Sequence, residues 1–257
     1  MKSLVDHTNL NQHKYYLKEK THINMQYNSR IIIACDFNSK EELYSLIKKL
    51  EGKKLFLKLG MQLLYKEGFN FIKELKEQGH NIFIDLKVHD IPNTAMNAVK
   101  SIVTYKPDFI TIHALNGFEA MKAMQSSVEG TNSKLLAVTI LTSMGQKDIE
   151  AININVPVKE EVDTLLGLAS EAGIWGAVSS AQESPMVKKH GMFSITPGIR
   201  LKSDATQDQK RILTPYEAIK NGSDFIVVGR TITQSKNPFE TYEIIEKQIK
   251  KAEEENE

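Results

Sequence analysis

The chain has 257 residues, 41% hydrophobic and 25% charged, which suits one large domain with a full core; α/β barrels commonly run to about 250 residues. With 33 basic against 32 acidic residues the net charge is +1. No global field therefore selects nucleic acid or an anionic membrane as a partner, and a charged substrate must be caught by local groups. The single cysteine, Cys35, lies in an apolar run and has no disulfide partner. No stretch approaches the roughly 18 apolar residues of a membrane span, and the polar amino terminus lacks a signal-peptide core, so a cytoplasmic protein is expected.

Residues 1–24 are polar with no sustained period of 2 or 3.6, so a disordered amino-terminal extension is expected ahead of a catalytic domain over 25–257. A strand over 30–37 ends Ala34-Cys35-Asp36. Ser39 with Glu42 reads as a capping box opening an amphipathic helix, whose stripe of Leu43, Leu46, Ile47 and Leu50 closes at Gly52. The next apolar run, 55–60, carries Lys58 near its end, where a purely structural strand would place another aliphatic residue. A helical stretch with Phe69, Ile72 and Leu75 stops at Gly79.

Asn81-Ile82-Phe83-Ile84 then leads into Asp85-Leu86-Lys87-Val88-His89-Asp90-Ile91-Pro92-Asn93-Thr94. Side chains two apart on a strand share a face, so Asp85 and Lys87 should point together while Leu86 and Val88 pack the other way. Pro92 suits a first helical turn, which puts Asp90 at a strand-to-helix turn.

A helix over 92–105 leads to Phe109-Ile110-Thr111-Ile112-His113-Ala114. His113 reads first as a satisfied structural histidine, with a catalytic role the lesser alternative, because no nucleophile or metal partner stands near it. Phe118, Met121 and Met124 mark another helix, and a fifth strand over 135–141 runs into Thr142-Ser143. Val162, Leu165, Leu166 and Ala169 lie on the helix after it. Short strands over 176–180 and 193–195 follow, the second running into Thr196-Pro197-Gly198-Ile199-Arg200. The polar loop 201–212, with Gln207, Gln209 and Arg211, is a candidate lid. Thr214-Pro215-Tyr216-Glu217 reads as a capping box with proline at the first helical position. The eighth strand, 225–228, ends in Gly229-Arg230, and Asn237-Pro238 opens a last helix with Ile244, Ile245 and Ile249 as its expected buried stripe.

Eight apolar runs alternating with helices predict a single-domain α/β fold, the (β/α)8 TIM barrel. The competing open, doubly wound sheet would want a phosphate loop in its dinucleotide-binding form, and no Gly-x-Gly-x-x-Gly follows any strand. In a barrel the carboxyl ends of the strands converge on one mouth, so Asp36, Lys58, Asp85, Lys87, Thr142, Arg200, Gly229 and Arg230 should meet there. Gly229 and Arg230 are placed as a phosphate grip, combining backbone N–H groups with a guanidinium fork.

The blocks Asp85 to Thr94, Thr196 to Arg200 and Val227-Val228-Gly229-Arg230 resemble the orotidine 5′-phosphate decarboxylase family in its bacterial form, over residues 29 to about 250. The resemblance implies a lyase that converts orotidine 5′-phosphate to uridine 5′-phosphate, the last step in making the pyrimidine nucleotide, with no metal and no cofactor. It implies that Lys87 donates a proton to C6, that Asp85 lies against the substrate carboxylate, and that Lys58 and Asp36 hold the ribose hydroxyls and complete a charged network. Thr142 and Pro197 would line the pyrimidine pocket, while Arg200, Gln209, Gly229 and Arg230 would bind the phosphate. Asp90 and Thr94 would reach across a homodimer interface into the neighbouring site, with Ile91 a further substrate contact. The magnesium-dependent hexulose-phosphate synthases and keto-gulonate-phosphate decarboxylases resemble the chain at Asp36, Asp85 and Lys87 but carry an acidic metal ligand where Lys58 stands, and a lysine there repels a metal. A catalytically silent barrel that binds a nucleotide or a protein is the reading from another class. Against it, every expected charged position is filled.

Overall fold

The computed structural model describes residues 26–27, 29–202 and 213–255. The expected extension over 1–24, and Gln209 with most of the candidate lid, lie outside the described residues. Eight strands, β1 (Ile31–Ala34), β2 (Phe56–Gly60), β3 (Asn81–Val88), β4 (Phe109–His113), β5 (Lys134–Val138), β6 (Gly176–Val178), β7 (Phe193–Thr196) and β8 (Phe225–Val228), close a barrel in sequence order. All neighbouring pairs are parallel, including β1 with β8. The helices between and after them are α1 (Lys40–Lys49), α2 (Met61–Glu67), α3 (Phe71–Glu77), α4 (Pro92–Val103), α5 (Phe118–Ser126), α6 (Gln146–Glu150), α7 (Val158–Glu171), α8 (Ser184–Lys189), α9 (Pro215–Lys220), α10 (Arg230–Thr233) and α11 (Pro238–Glu254). The TIM barrel expected from the alternation is the fold observed. Among the described residues no helix is long and apolar enough to cross a membrane.

The strands are apolar on both faces because both faces are covered. In β1, Ile31 and Ile33 join the layer beneath the helices while Ile32 and Ala34 face the barrel interior. That interior is aromatic: Phe109 has ring neighbours Phe56 at 4.9 Å, Tyr27 and Trp175 at 5.2 Å, and Phe225 at 5.3 Å. Tyr27, just ahead of the first strand, contributes to this floor. Two residues further along the same inward faces, the side chains change character. Phe56 is followed by Lys58, Phe83 by Asp85 and Phe109 by Thr111. A charged layer therefore rests directly on an apolar one.

The strand ladder is irregular at one place. Ile84 pairs with Ile110 and Val88 with Ile112, so Asp85, Leu86 and Lys87 all lie opposite Thr111 alone. This bulge carries Lys87 at φ +51°, an uncommon conformation for a side-chain-bearing residue. Leu86 and Val88 nonetheless pack outward against the helix layer, as the alternation predicts.

Several local expectations need correction. Ser39 accepts from Glu42 N at 3.4 Å, but the Glu42 carboxylate reaches Asn38 N at 3.2 Å rather than its own cap. The Thr214–Glu217 box forms in both directions. On α11 the buried stripe is Tyr242, Ile245, Ile249 and Ala252, whereas Ile244 is 39% exposed. At 100° per residue, position 244 turns away from the line through 242, 245 and 249. The strands β1, β5 and β6 end earlier than expected, because their last apolar or polar residues leave the ladder to form the barrel mouth.

The seam between the first and last strands is held by Arg30, whose guanidinium donates to Asp224 O at 2.7 Å and Ser223 O at 2.8 Å and pairs with Glu253. The floor should dominate stability. Phe109→Ala is expected to lower the unfolding free energy in urea by about 3–5 kcal/mol, the range for truncating a buried aromatic. Ile244→Ala should change it by no more than about 0.5 kcal/mol. Equal losses would show that the aromatic floor is not the main packing element.

Candidate active site

The mouth of the barrel holds a cavity of about 380 Å³ lined by Asp36, Lys58, Asp85, Lys87, Thr142, Pro197, Arg200, Gly229 and Arg230 among others. All these residues were expected at the site, and the topology brings them together from six strand ends. Asp90, Ile91 and Thr94 do not line this cavity. They lie exposed on the turn after β3 and the first turn of α4.

Four charges alternate in sign along one wall. Lys58 Nζ lies 3.3 Å from Asp36 Oδ1 and 3.1 Å from Asp85 Oδ2, and Lys87 Nζ lies 2.9 Å from Asp85 Oδ1. The middle of the chain is the drier part: the side chains of Lys58 and Asp85 are 13% and 14% exposed, against 63% for Asp36. Burial opposes the charge on Asp85, but the two ammonium groups outweigh it and hold the carboxyl below its usual range. Burial likewise opposes the charge on Lys58, and Asp85 and Asp36 together hold that ammonium above its usual range. Both groups therefore stay ionised near neutrality.

Three residues that help to build this wall were not singled out in the sequence. Thr111, fully buried on β4, donates to Asp85 Oδ1 at 3.0 Å and accepts from Lys87 N at 2.9 Å. Its signal was a hydroxyl at an inward position of an otherwise apolar run. Gly60 leaves room: a Cβ there would stand 3.3 Å from Asp36 Oδ1 and 3.8 Å from Lys58 Nζ. Asn116 donates to Val88 O at 2.8 Å and His113 O at 2.7 Å and accepts from Asp90 N at 3.0 Å, which pins the turn carrying Asp90. Nothing in a short loop asparagine marks it for that task. His113 has the structural role expected first: its Nδ1 accepts from Leu115 N at 3.3 Å, and its ring stacks on His89 at 5.2 Å. Burial, with His89 and Lys87 nearby, lowers its pKa.

The opposite side of the cavity is apolar, formed by Val138, Ile140, Val178 and Pro197. At one end Gly229 leads into α10 and stands with Arg200 and Arg230, two guanidinium groups suited to a doubly charged anion. Lys58 Nζ occupies the point between the Asp36 and Asp85 carboxylates, so an ammonium already fills the place where two acids could hold a cation. Among the described residues no group of three or more His, Cys, Asp or Glu side chains could hold a metal ion.

The arginine pair after the seventh and eighth strands stands where (β/α)8 barrels frequently hold a phosphate group, beside a lysine–aspartate network at the mouth. Residues 29–245 match the model of the orotidine 5′-phosphate decarboxylase / HUMPS family. The chain is 41% identical over 221 residues to orotidine 5′-phosphate decarboxylase of Fusobacterium nucleatum, covering 84% of this chain and 93% of that one. It is 43% identical over 224 residues to that of Streptococcus gordonii, covering 85% and 97%. A crystal structure of orotidine 5′-phosphate decarboxylase from Lactobacillus acidophilus superposes with a TM-score of 0.77 at 35% identity, covering 85% of this chain and 98% of that one. The chain belongs to the orotidine 5′-phosphate decarboxylase / HUMPS family.

The charge network predicts a pH dependence with a definite sign. Because the folded-state pKa of Asp85 is depressed, its stabilisation is present above the ordinary carboxyl pKa of about 4 and is lost as pH falls through the depressed value. Because that of Lys58 is raised, its contribution is present below about 10.4 and is lost as pH rises through the raised value. Lys58→Met removes one of the two cations beside Asp85 and leaves its folded-state pKa less depressed, so the acid loss of unfolding free energy should be smaller than in the wild type and complete at a higher pH. Superimposable acid limbs for the two proteins would contradict this.

Proposed function

We propose that this chain decarboxylates orotidine 5′-phosphate to uridine 5′-phosphate in the cytoplasm, with no metal or organic cofactor and with Lys87 as proton donor to C6. The observation that carries the reading is the alternating Asp36–Lys58–Asp85–Lys87 wall, in which an ammonium stands where a divalent ion would have to sit. Loss of carbon dioxide leaves negative charge on a ring carbon with no adjacent carbonyl to receive it, and a fixed ammonium at that carbon is the direct remedy. Lys87 supplies this charge and then the proton.

Asp85 next to the substrate carboxylate disfavours the bound ground state, while the apolar wall opposite suits departing carbon dioxide. Thr142 and Pro197 hold the base, and Lys58 with Asp36 holds the ribose hydroxyls. Arg200, Gln209, Gly229 and Arg230 grip the phosphate, so that binding energy from a group remote from the chemistry orients the ring.

The same reading makes the enzyme a homodimer in which Asp90 and Thr94 enter the neighbouring site, with Ile91 beside them. Its support is surface chemistry: Ile91 and Tyr65 are 68% and 74% exposed, and Met61 and Leu115 join them as exposed large apolar groups after β2, β3 and β4. Such groups favour burial against a second copy.

Purified protein in EDTA should convert orotidine 5′-phosphate to uridine 5′-phosphate, read as a fall in absorbance at the long-wavelength edge of the orotate band; activity that vanishes in chelator and returns with magnesium would overturn the metal-free reading. For the shared site, Lys87→Ala and Asp90→Ala homodimers should each be nearly inactive. After subunit exchange, half the dimers are mixed and each mixed dimer has one intact site, so about a quarter of wild-type activity should return. A mixture that stays inactive despite demonstrated exchange would place Asp90 in its own chain's site.

A further inference from the structure

The bulge in β3 leaves a polar group without a ladder partner. Asp85, Leu86 and Lys87 face only Thr111 across the β3–β4 junction, so the Lys87 N–H cannot meet a regular strand carbonyl. It points instead to the Thr111 hydroxyl at 2.9 Å, and the same hydroxyl reaches Asp85 Oδ1 at 3.0 Å. A backbone N–H can only donate and an ionised carboxylate can only accept. The hydroxyl must therefore accept from Lys87 and donate to Asp85, and its single proton is committed to the carboxylate.

From this geometry we infer that Thr111 is the positioning residue of the catalytic wall: one buried hydroxyl holds Lys87 in its left-handed backbone conformation and sets the orientation of the Asp85 carboxylate that Lys87 and Lys58 share. The inference rests on the functional reading above for its kinetic consequence, though not for its structural one. Lys87 at φ +51° would relax toward an ordinary strand conformation if its N–H lost this acceptor, and its ammonium would move with it. Asp85 Oδ1 would keep Lys87 Nζ as a partner but lose the donor that fixes the plane of the carboxylate. Thr111 does not line the cavity, so its effect reaches the substrate only through Asp85 and Lys87.

Three substitutions separate this role from mere packing. Thr111→Val keeps the shape and removes the hydroxyl, Thr111→Ala removes it without added bulk, and Thr111→Ser keeps it. With orotidine 5′-phosphate, kcat of the Val and Ala variants should fall about ten- to a hundredfold, the scale of one buried hydrogen bond to a charged group. KM should stay within about threefold, because the phosphate and ribose grips are untouched, and Thr111→Ser should restore kcat to within about threefold of wild type. If Thr111→Val does not fold, Thr111→Ala decides. A kcat within threefold of wild type in a folded variant lacking the hydroxyl overturns the inference, as does Thr111→Ser behaving like Thr111→Ala. If the wild-type protein itself leaves orotidine 5′-phosphate unchanged, the functional reading fails, and crystal structures of the variants decide the inference alone. Lys87 leaving the left-handed region in Thr111→Val supports it; Lys87 unchanged there sinks it.

Discussion

Asp85 is largely withdrawn from solvent between two lysines on top of an aromatic floor, and the rest of the site depends on that placement. A carboxylate in so dry a position is unfavourable unless its lone pairs are taken up, and here Lys58, Lys87 and Thr111 take them. Each partner is on a different strand or a different part of the bulge, so the ion holds β2, β3 and β4 in register as well as serving the mouth. The arrangement is also unbalanced toward function. Asp85 faces two cations, yet Asp36, the other acid, is largely exposed and tied to only one of them.

The bulge explains how Lys87 comes to share Asp85's face with an unusual backbone. In a regular parallel ladder the two side chains would project side by side by alternation alone. Two extra residues against β4 lengthen the path and turn the lysine through φ +51°. Thr111 and Asn116, one within β4 and one just beyond it, then clasp the irregular segment at its start and its end. The strained part of the barrel is thus braced by its neighbour, while the regular strands β5 to β8 contribute an apolar wall and the arginine pair.

Much of this was legible in the amino-acid sequence. Eight apolar runs with helical stripes between them specify a parallel barrel because strands covered on both faces must be apolar throughout, and helices of one-sided polarity are what cover them. Charged residues ending such runs reveal a site because the topology sends every strand's carboxyl end to one mouth. The errors were local. Apolar clustering alone puts Ile244 in the buried stripe, but helical phase puts it outside. In the sequence Thr111 is indistinguishable from any strand residue, since a lone threonine on a β-strand is what propensity alone would put there.

By itself, then, the sequence determined the fold, the membership of the charged cluster and the side of the barrel on which it lies, since each follows from chain order and from period. Only the tertiary structure decided which charge touches which, that Thr111 bridges Lys87 to Asp85, that Gly60 makes room for Asp36, and that Asp90 stands outside its own cavity. Those relations are distances between residues far apart in the chain, set by strand register and by one bulge, and no local pattern of residue types carries a register.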